Sequence, residues 1–182
     1  EVESWNTEGL SHVWVKVPEL AADTVIYAFW GKSGVAAPPC TTNGAAWDAT
    51  YRAVWHMNDG VDSSHIDDAT ANRFGGVKKA AGLPLETDAV VGKGQKFTAD
   101  YINVTGLTSP GTAHTFSMWI KGGSTVANQY FFDVQSGRTL LGWGSGNNGK
   151  IGLYSSTSWR DFGNTPTLNA WHHLTAVLEG TG

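Results

Sequence analysis

Short runs of alternating apolar and polar residues, separated by glycine- and asparagine-rich turns, recur roughly every 10 to 15 residues along much of this chain. Phe116, Met118 and Ile120 alternate with Ser117 and Trp119, and Tyr130 to Val134, Thr139 to Trp143, Lys150 to Tyr154 and Trp171 to Leu178 repeat the pattern. Successive side chains of a strand point to opposite faces, so a period of two turns one apolar face toward a second layer. Trp119, on the opposite face, predicts that this face is covered too. Gly106 to Gly111, Ser136-Gly137 and Gly144 to Gly149 read as the turns between strands. Such spacing belongs to an all-β sandwich. The best helical candidate, Ala69 to Ala81, carries Gly75-Gly76 in its middle, so helix content is expected to be small.

Toward the N-terminus, Val13, Val15 and Val17 predict one strand and Val25, Tyr27 and Phe29 another, joined by Pro18 to Asp23. Gly31 to Asn43 reads as a loop or linker, because the adjacent Pro38 and Pro39 cannot sit inside a sheet. A boundary near Asp48 follows, dividing the chain into 1–48 and 49–182, and Tyr51 to Met57 restarts a strand. Asn58 to Asn72, rich in Asp, Ser and Asn, predicts a long exposed loop. Gly94 to Thr98 and Asp100 to Val104 predict two further short strands.

Hydrophobic residues at 41% and charged residues at 15% of 182 residues support a globular core. With a net charge of −4 and no basic cluster beyond Lys78-Lys79, the electrostatic footprint for nucleic acid or an anionic membrane surface is missing. Cys40 is the single cysteine, which excludes an internal disulfide and a cysteine-based zinc site. No apolar run approaches the ~20 residues that cross a bilayer, and Glu1-Val-Glu-Ser-Trp-Asn6 is polar where a signal peptide would be apolar. The chain is therefore expected to be a soluble piece of a larger protein.

Three segments, Ala53-Val-Trp-His-Met-Asn-Asp59 with the loop Asp62-Ser-Ser64, then Thr115-Phe-Ser-Met-Trp-Ile-Lys121, then Asn169-Ala-Trp-His-His-Leu-Thr-Ala-Val177, occur in the order and spacing of one superfamily. Together they resemble the laminin-G-like, concanavalin A-like lectin and glucanase modules of bacterial surface proteins. Residues 1 to 50, with Glu3-Ser-Trp-Asn6, Val13-Trp-Val-Lys-Val17 and Ile26-Tyr-Ala-Phe-Trp-Gly31, look like the end of an uncharacterised β-rich family that often precedes such modules. The resemblance implies a concanavalin A-like jelly-roll sandwich at 49–182 with a short β extension before it. Such modules continue past the Trp-His-His strand, whereas this sequence stops at Gly182, so the jelly roll is expected to be incomplete at its C-terminal end. Unpaired strand edges would then favour strand exchange or self-association.

The resemblance also implies an extracellular setting, secreted, periplasmic or on the cell surface, and a binding or adhesion role with polysaccharide as ligand. A structural spacer or protein-interaction module of a large envelope protein is the alternative, with another protein chain as partner, and part of a glycan-active enzyme is the third reading. Glycosidases of this fold place paired carboxylates on a Glu-x-Asp-x-x-Glu strand. No such strand exists here, since Glu occurs only at positions 1, 3, 8, 19, 86 and 179, so no catalytic residues are expected.

The strongest binding candidates are Trp143, Asn147, Asn148, Tyr154, Trp159, Arg160 and Asp161. Exposed rings can stack on the apolar faces of sugars, while amide, guanidinium and carboxylate groups bond their hydroxyls. Buried tryptophan and a plain Asn-Asn-Gly hairpin turn are the competing explanation. No cofactor is required. Calcium is the one metal the acidic loop suggests, with Asp59, Asp62 and Asp68 as oxygen ligands, although Asp in a loop is more often simply solvated. His172 and His173 are adjacent on a strand and so face apart, and His56 is expected to be structural, with no acidic partner placed beside it.

Overall fold

The computed structural model describes residues 1–107, 113–124, 129–134, 139–143, 149–155, 158–163 and 165–180. The fold is nearly all β, and among the described residues helix is limited to one 3-10 turn, Pro39–Thr41. No helix of the described residues is long and apolar enough to cross a membrane. The chain forms two compact units, Glu1–Gly106 and Leu107–Gly182. The 48/49 position lies inside the first.

The strands of the first unit are short: β1 (Val2–Ser4), β2 (His12–Val13), β3 (His65–Ile66), β4 (Gly76–Lys78), β5 (Leu85–Asp88), β6 (Lys93–Lys96) and β7 (Ile102–Val104). They pair antiparallel as β1 with β2, as β3-β4-β7, and as β5 with β6. Gly76 is what lets β3 and β7 close over β4. A Cβ there would lie 2.5 Å from Ile102 Cγ2 and 2.9 Å from Ile66 Cγ1, inside contact distance for carbon.

Much of this unit is held by side chains rather than ladders. The Asp68 carboxylate, 2% exposed, accepts hydrogen bonds from the backbone N–H groups of Val54, Thr70 and Phe74 and from Thr70 Oγ1, all at 2.9 Å. The segment 58–72 is therefore no long exposed loop. Ile66, Asp68, Ala69 and Thr70 are buried, because one carboxylate satisfies the amides that a solvated loop would leave to water. Nearby, the fully buried Lys78 ammonium donates to Asp59 and to the Pro84 carbonyl.

At the N-terminal end, the Trp14 indole N–H donates to Glu3 Oε2 at 2.7 Å and that of Trp47 to Glu1 Oε2 at 2.5 Å. His56 sits between the same two carboxylates, 3.3 Å from Glu1 Oε1 and 3.4 Å from Glu3 Oε2, with its ring stacked on Trp14. The expectation that no acid partners His56 is thus corrected. Both partners lie far away in sequence, where local spacing carries no trace of them.

Three expected strands are absent or cut short. Val25 to Trp30 pairs with nothing among the described residues and leaves Tyr27, Phe29 and Trp30 at 75%, 92% and 72% exposure, since alternation alone supplies no partner ladder. Of the strand expected at 13–17 only Val13 belongs to β2. Tyr51 to Met57 contributes a single bridge, Trp55 opposite Asp68, and ends where Met57 adopts a φ of 61°, outside the extended region.

The second unit contains β8 (His114–Lys121), β9 (Tyr130–Val134), β10 (Thr139–Trp143), β11 (Ile151–Ser155), β12 (Ser158–Asp161) and β13 (Trp171–Leu178). β8 and β13 pair antiparallel along their whole length, from Trp171 opposite Lys121 to Leu178 opposite His114. The other four form an antiparallel sheet in the order β12-β11-β10-β9. Ile120 and Ala176 from the ribbon join Leu141, Trp143, Ile151 and Leu153 from the sheet in one buried cluster, flanked by Phe116, Met118, Phe132 and Leu174. This is the packing of a β-sandwich, with each large apolar side chain contributing about 2 kcal/mol on burial. Trp119, on the ribbon's outer face, is 46% exposed rather than covered by a layer of the described residues, and it rests against the His173 ring 5.1 Å away.

Replacing Asp68 by Ala strands three backbone donors and is expected to cost the first unit about 3 kcal/mol. Thr70→Val, which removes one donor to that carboxylate, is expected to cost about 1 kcal/mol. Urea unfolding followed by circular dichroism checks both.

Candidate functional site

The register of the four-stranded sheet sorts its side chains into two faces. Leu141 opposes Leu153 and Trp143 opposes Ile151, and these point into the core. Gly142 opposes Gly152, and Gly152 opposes Asp161, while Tyr154 pairs with Trp159 two residues along. By the period of two, Gly142, Gly152, Tyr154, Trp159 and Asp161 share the face away from the core. Tyr130, opposite Gly142 across a bulge, joins them.

The two glycines determine what this face looks like. A Cβ at Gly152 would stand 2.5 Å from Trp159 Nε1 and 2.8 Å from its Cε2, so the indole lies directly on the bare backbone of β11. A Cβ at Gly142 would come within 3.1 Å of the Tyr130 ring. Trp159 is turned by a hydrogen bond from its Nε1 to Asp161 Oδ1 at 2.8 Å, and the Tyr154 ring lies 6.4 Å away at 37°. Tyr130 is 45% exposed. The result is a shelf of rings with a carboxylate at one edge, an arrangement that can stack against a flat apolar surface and accept a hydrogen bond beside it.

Of the seven binding residues expected from sequence, Tyr154, Trp159 and Asp161 come together on this shelf. Trp143 does not: it is 2% exposed, with its ring against Gly122 and edge-on to Phe131, so its surface is spent in the core. Arg160 is exposed on the opposite face, opposite Leu153. Asn147 and Asn148 lie outside the described residues. Tyr130 was not expected, and its signal was the pair of mid-strand glycines, which mark a close approach to the backbone.

The three candidate calcium ligands each hold donors of their own. Asp59 accepts from Lys78 and, at 3.0 Å, from Gln95 Nε2. Asp62 accepts from the Ser64 amide at 2.7 Å and from His65 Nδ1 at 2.8 Å, and the bond from His65 is the main reason its carboxyl is held below the usual range. Asp68 is committed to the four donors described above. Among the described residues no group of three or more His, Cys, Asp or Glu side chains is placed to hold a metal ion. His172 shares the inner face with Ile120 and donates to the Thr167 carbonyl at 3.0 Å, while His173, on the outer face, meets Ser117 Oγ at 3.0 Å.

Residues 96–182, just under half of the chain, match the family model described as the Concanavalin A-like lectin/glucanases superfamily. Comparison with curated proteins and with solved structures gives no match. The matched stretch contains every strand of the sandwich from β8 to β13, so the shelf of Tyr130, Tyr154, Trp159 and Asp161 is built on the part of the chain that is similar to that superfamily.

Proposed function

We propose that this chain is a non-catalytic binding module that takes a polysaccharide on the shelf of its four-stranded sheet and works outside the cytoplasm, as a secreted, periplasmic or surface-attached part of a larger protein. The observation that carries this reading is the Trp159 indole laid over Gly152 and held by Asp161. A ring fixed before the ligand arrives loses little further freedom on binding, so its contact contributes more fully to affinity. Tyr154 and Tyr130 extend the apolar surface, and their hydroxyls belong to the same face. A superfamily named for lectins and glucanases supports a glycan as ligand.

Binding without catalysis is favoured by the placement of acids. Asp133 and Asp161, the two carboxylates on this face of the described strands, stand on β9 and β12, the two edges of the sheet. Three inter-strand spacings separate them at roughly 14 Å, whereas paired-carboxylate hydrolysis works at separations below about 10 Å. Because Asp59, Asp62 and Asp68 each hold donors of their own, the reading requires no calcium. A protein partner in place of a glycan is favoured by one feature, the exposed apolar run from Val25 to Trp30.

Affinity electrophoresis through gels cast with different polysaccharides is expected to retard the chain in at least one of them. Trp159→Ala should weaken that binding by about thirtyfold, or roughly 2 kcal/mol, while Arg160→Ala, on the other face, should leave it within about threefold. Retention of full binding by Trp159→Ala would overturn the assignment. Gly152→Ala is expected to displace the indole, lowering affinity and altering near-ultraviolet circular dichroism together. Melting with calcium or with chelator should give the same midpoint, because only an ion bound to the folded form would raise it.

A further inference from the structure

The first unit contains a half-open cleft of about 380 Å³ whose walls include Trp14, Lys16, Pro18, Trp47, Asp48 and Tyr51. It is within the lower range of small-ligand sites. Two features distinguish it from an incidental groove. Its aromatic walls are fixed from behind: both indole N–H groups are turned inward onto buried carboxylates, Trp14 on Glu3 and Trp47 on Glu1, whose side chains are 3% and 12% exposed. His56 locks the two acids together, and the rings brace one another, Trp14 to Trp47 at 5.4 Å and Trp47 to Tyr51 edge-on at 5.2 Å. Its rim is polar: Lys16 Nζ and Asp48 Oδ2 sit 3.5 Å apart with each side chain nearly half exposed.

We propose that this cleft is a second carbohydrate site, separate from the sheet shelf, which seats a single pyranose ring of a glycan with the Lys16–Asp48 pair on its hydroxyls. The polar rim selects this ligand. Each sugar hydroxyl both donates and accepts, so neighbouring hydroxyls satisfy an ammonium and a carboxylate at once. A polyproline segment, the other ligand that aromatic grooves attract, has no backbone N–H and offers carbonyl acceptors only. It would bring no donor to Asp48 Oδ2 beyond the Lys16 ammonium already there, and the indole N–H groups that could meet its carbonyls are committed to Glu1 and Glu3. Hydrogen bonds from Thr50, then the nearby Lys16 charge, hold the Asp48 carboxyl below its ordinary range, so it stays an acceptor at mildly acidic pH.

The test uses the full chain carrying Trp159→Ala, which removes the shelf, titrated calorimetrically with soluble gluco-, xylo-, manno- and chito-oligosaccharides and with a polyproline peptide. The site predicts that one oligosaccharide still binds, and that adding Tyr51→Ala or Lys16→Ala weakens it by about tenfold or more without changing the melting midpoint. These two side chains are exposed enough to be removed without unfolding the unit. Binding should hold down to the ordinary carboxylate range and fall below it as Asp48 protonates. The proposal is overturned if no oligosaccharide binds this background, if Tyr51→Ala and Lys16→Ala both leave affinity intact, or if the peptide binds instead. Loss of all glycan binding on Trp159→Ala alone would sink the cleft and leave the shelf standing. Binding abolished by Tyr51→Ala but untouched by Trp159→Ala would do the reverse.

Discussion

Every buried amide needs an acceptor, and the two units of this chain meet that requirement in different ways. In the second, long antiparallel strands do it, and the side-chain periodicity that comes with strands then builds the core without further devices. In the first, the strands are two to four residues long, too short to supply a ladder for the segments between them. Asp68 takes over that task for the amides of Val54, Thr70 and Phe74, and Glu86 for that of Asp59, while Glu1 and Glu3 do the same for the indole N–H groups of Trp47 and Trp14. A carboxylate is well suited to it, since two oxygens can accept several hydrogen bonds and charge-assisted bonds are stronger than neutral ones.

This difference explains what the sequence made legible. β8, β9, β10, β11 and β13 run five to eight residues each, long enough to show as apolar runs bounded by turn residues, and their bounds follow from those runs almost residue for residue. β3, β4 and β5 are too short to show a period, so the stretch around Asp68 read as solvated loop although its composition serves a buried hydrogen-bond centre. Val25 to Trp30 failed in the opposite direction, having the period but no partner strand among the described residues. A ladder needs two strands, and only one of them can be read locally.

The candidate shelf was legible to the same partial degree. Tyr154, Trp159 and Asp161 could be singled out because aromatic and acidic residues cluster in one short stretch. Nothing in that stretch says which ring faces out. Parity decides it: Trp143 pairs with Ile151 and goes into the core, while Tyr154 pairs with Trp159 and stays outside. One residue of register separates an outward-facing ring from a packing residue.

Gly142 and Gly152, opposite each other at the centre of the sheet, leave a strip of naked backbone beneath the rings. An added Cβ collides at both positions, with the Gln129 carbonyl and Tyr130 at Gly142 and with the Trp159 indole at Gly152, so the rings of Tyr130 and Trp159 can lie down only because these two side chains are missing. The floor therefore sets the height at which the rings stand, and a single methyl group added at either glycine would lift the whole face.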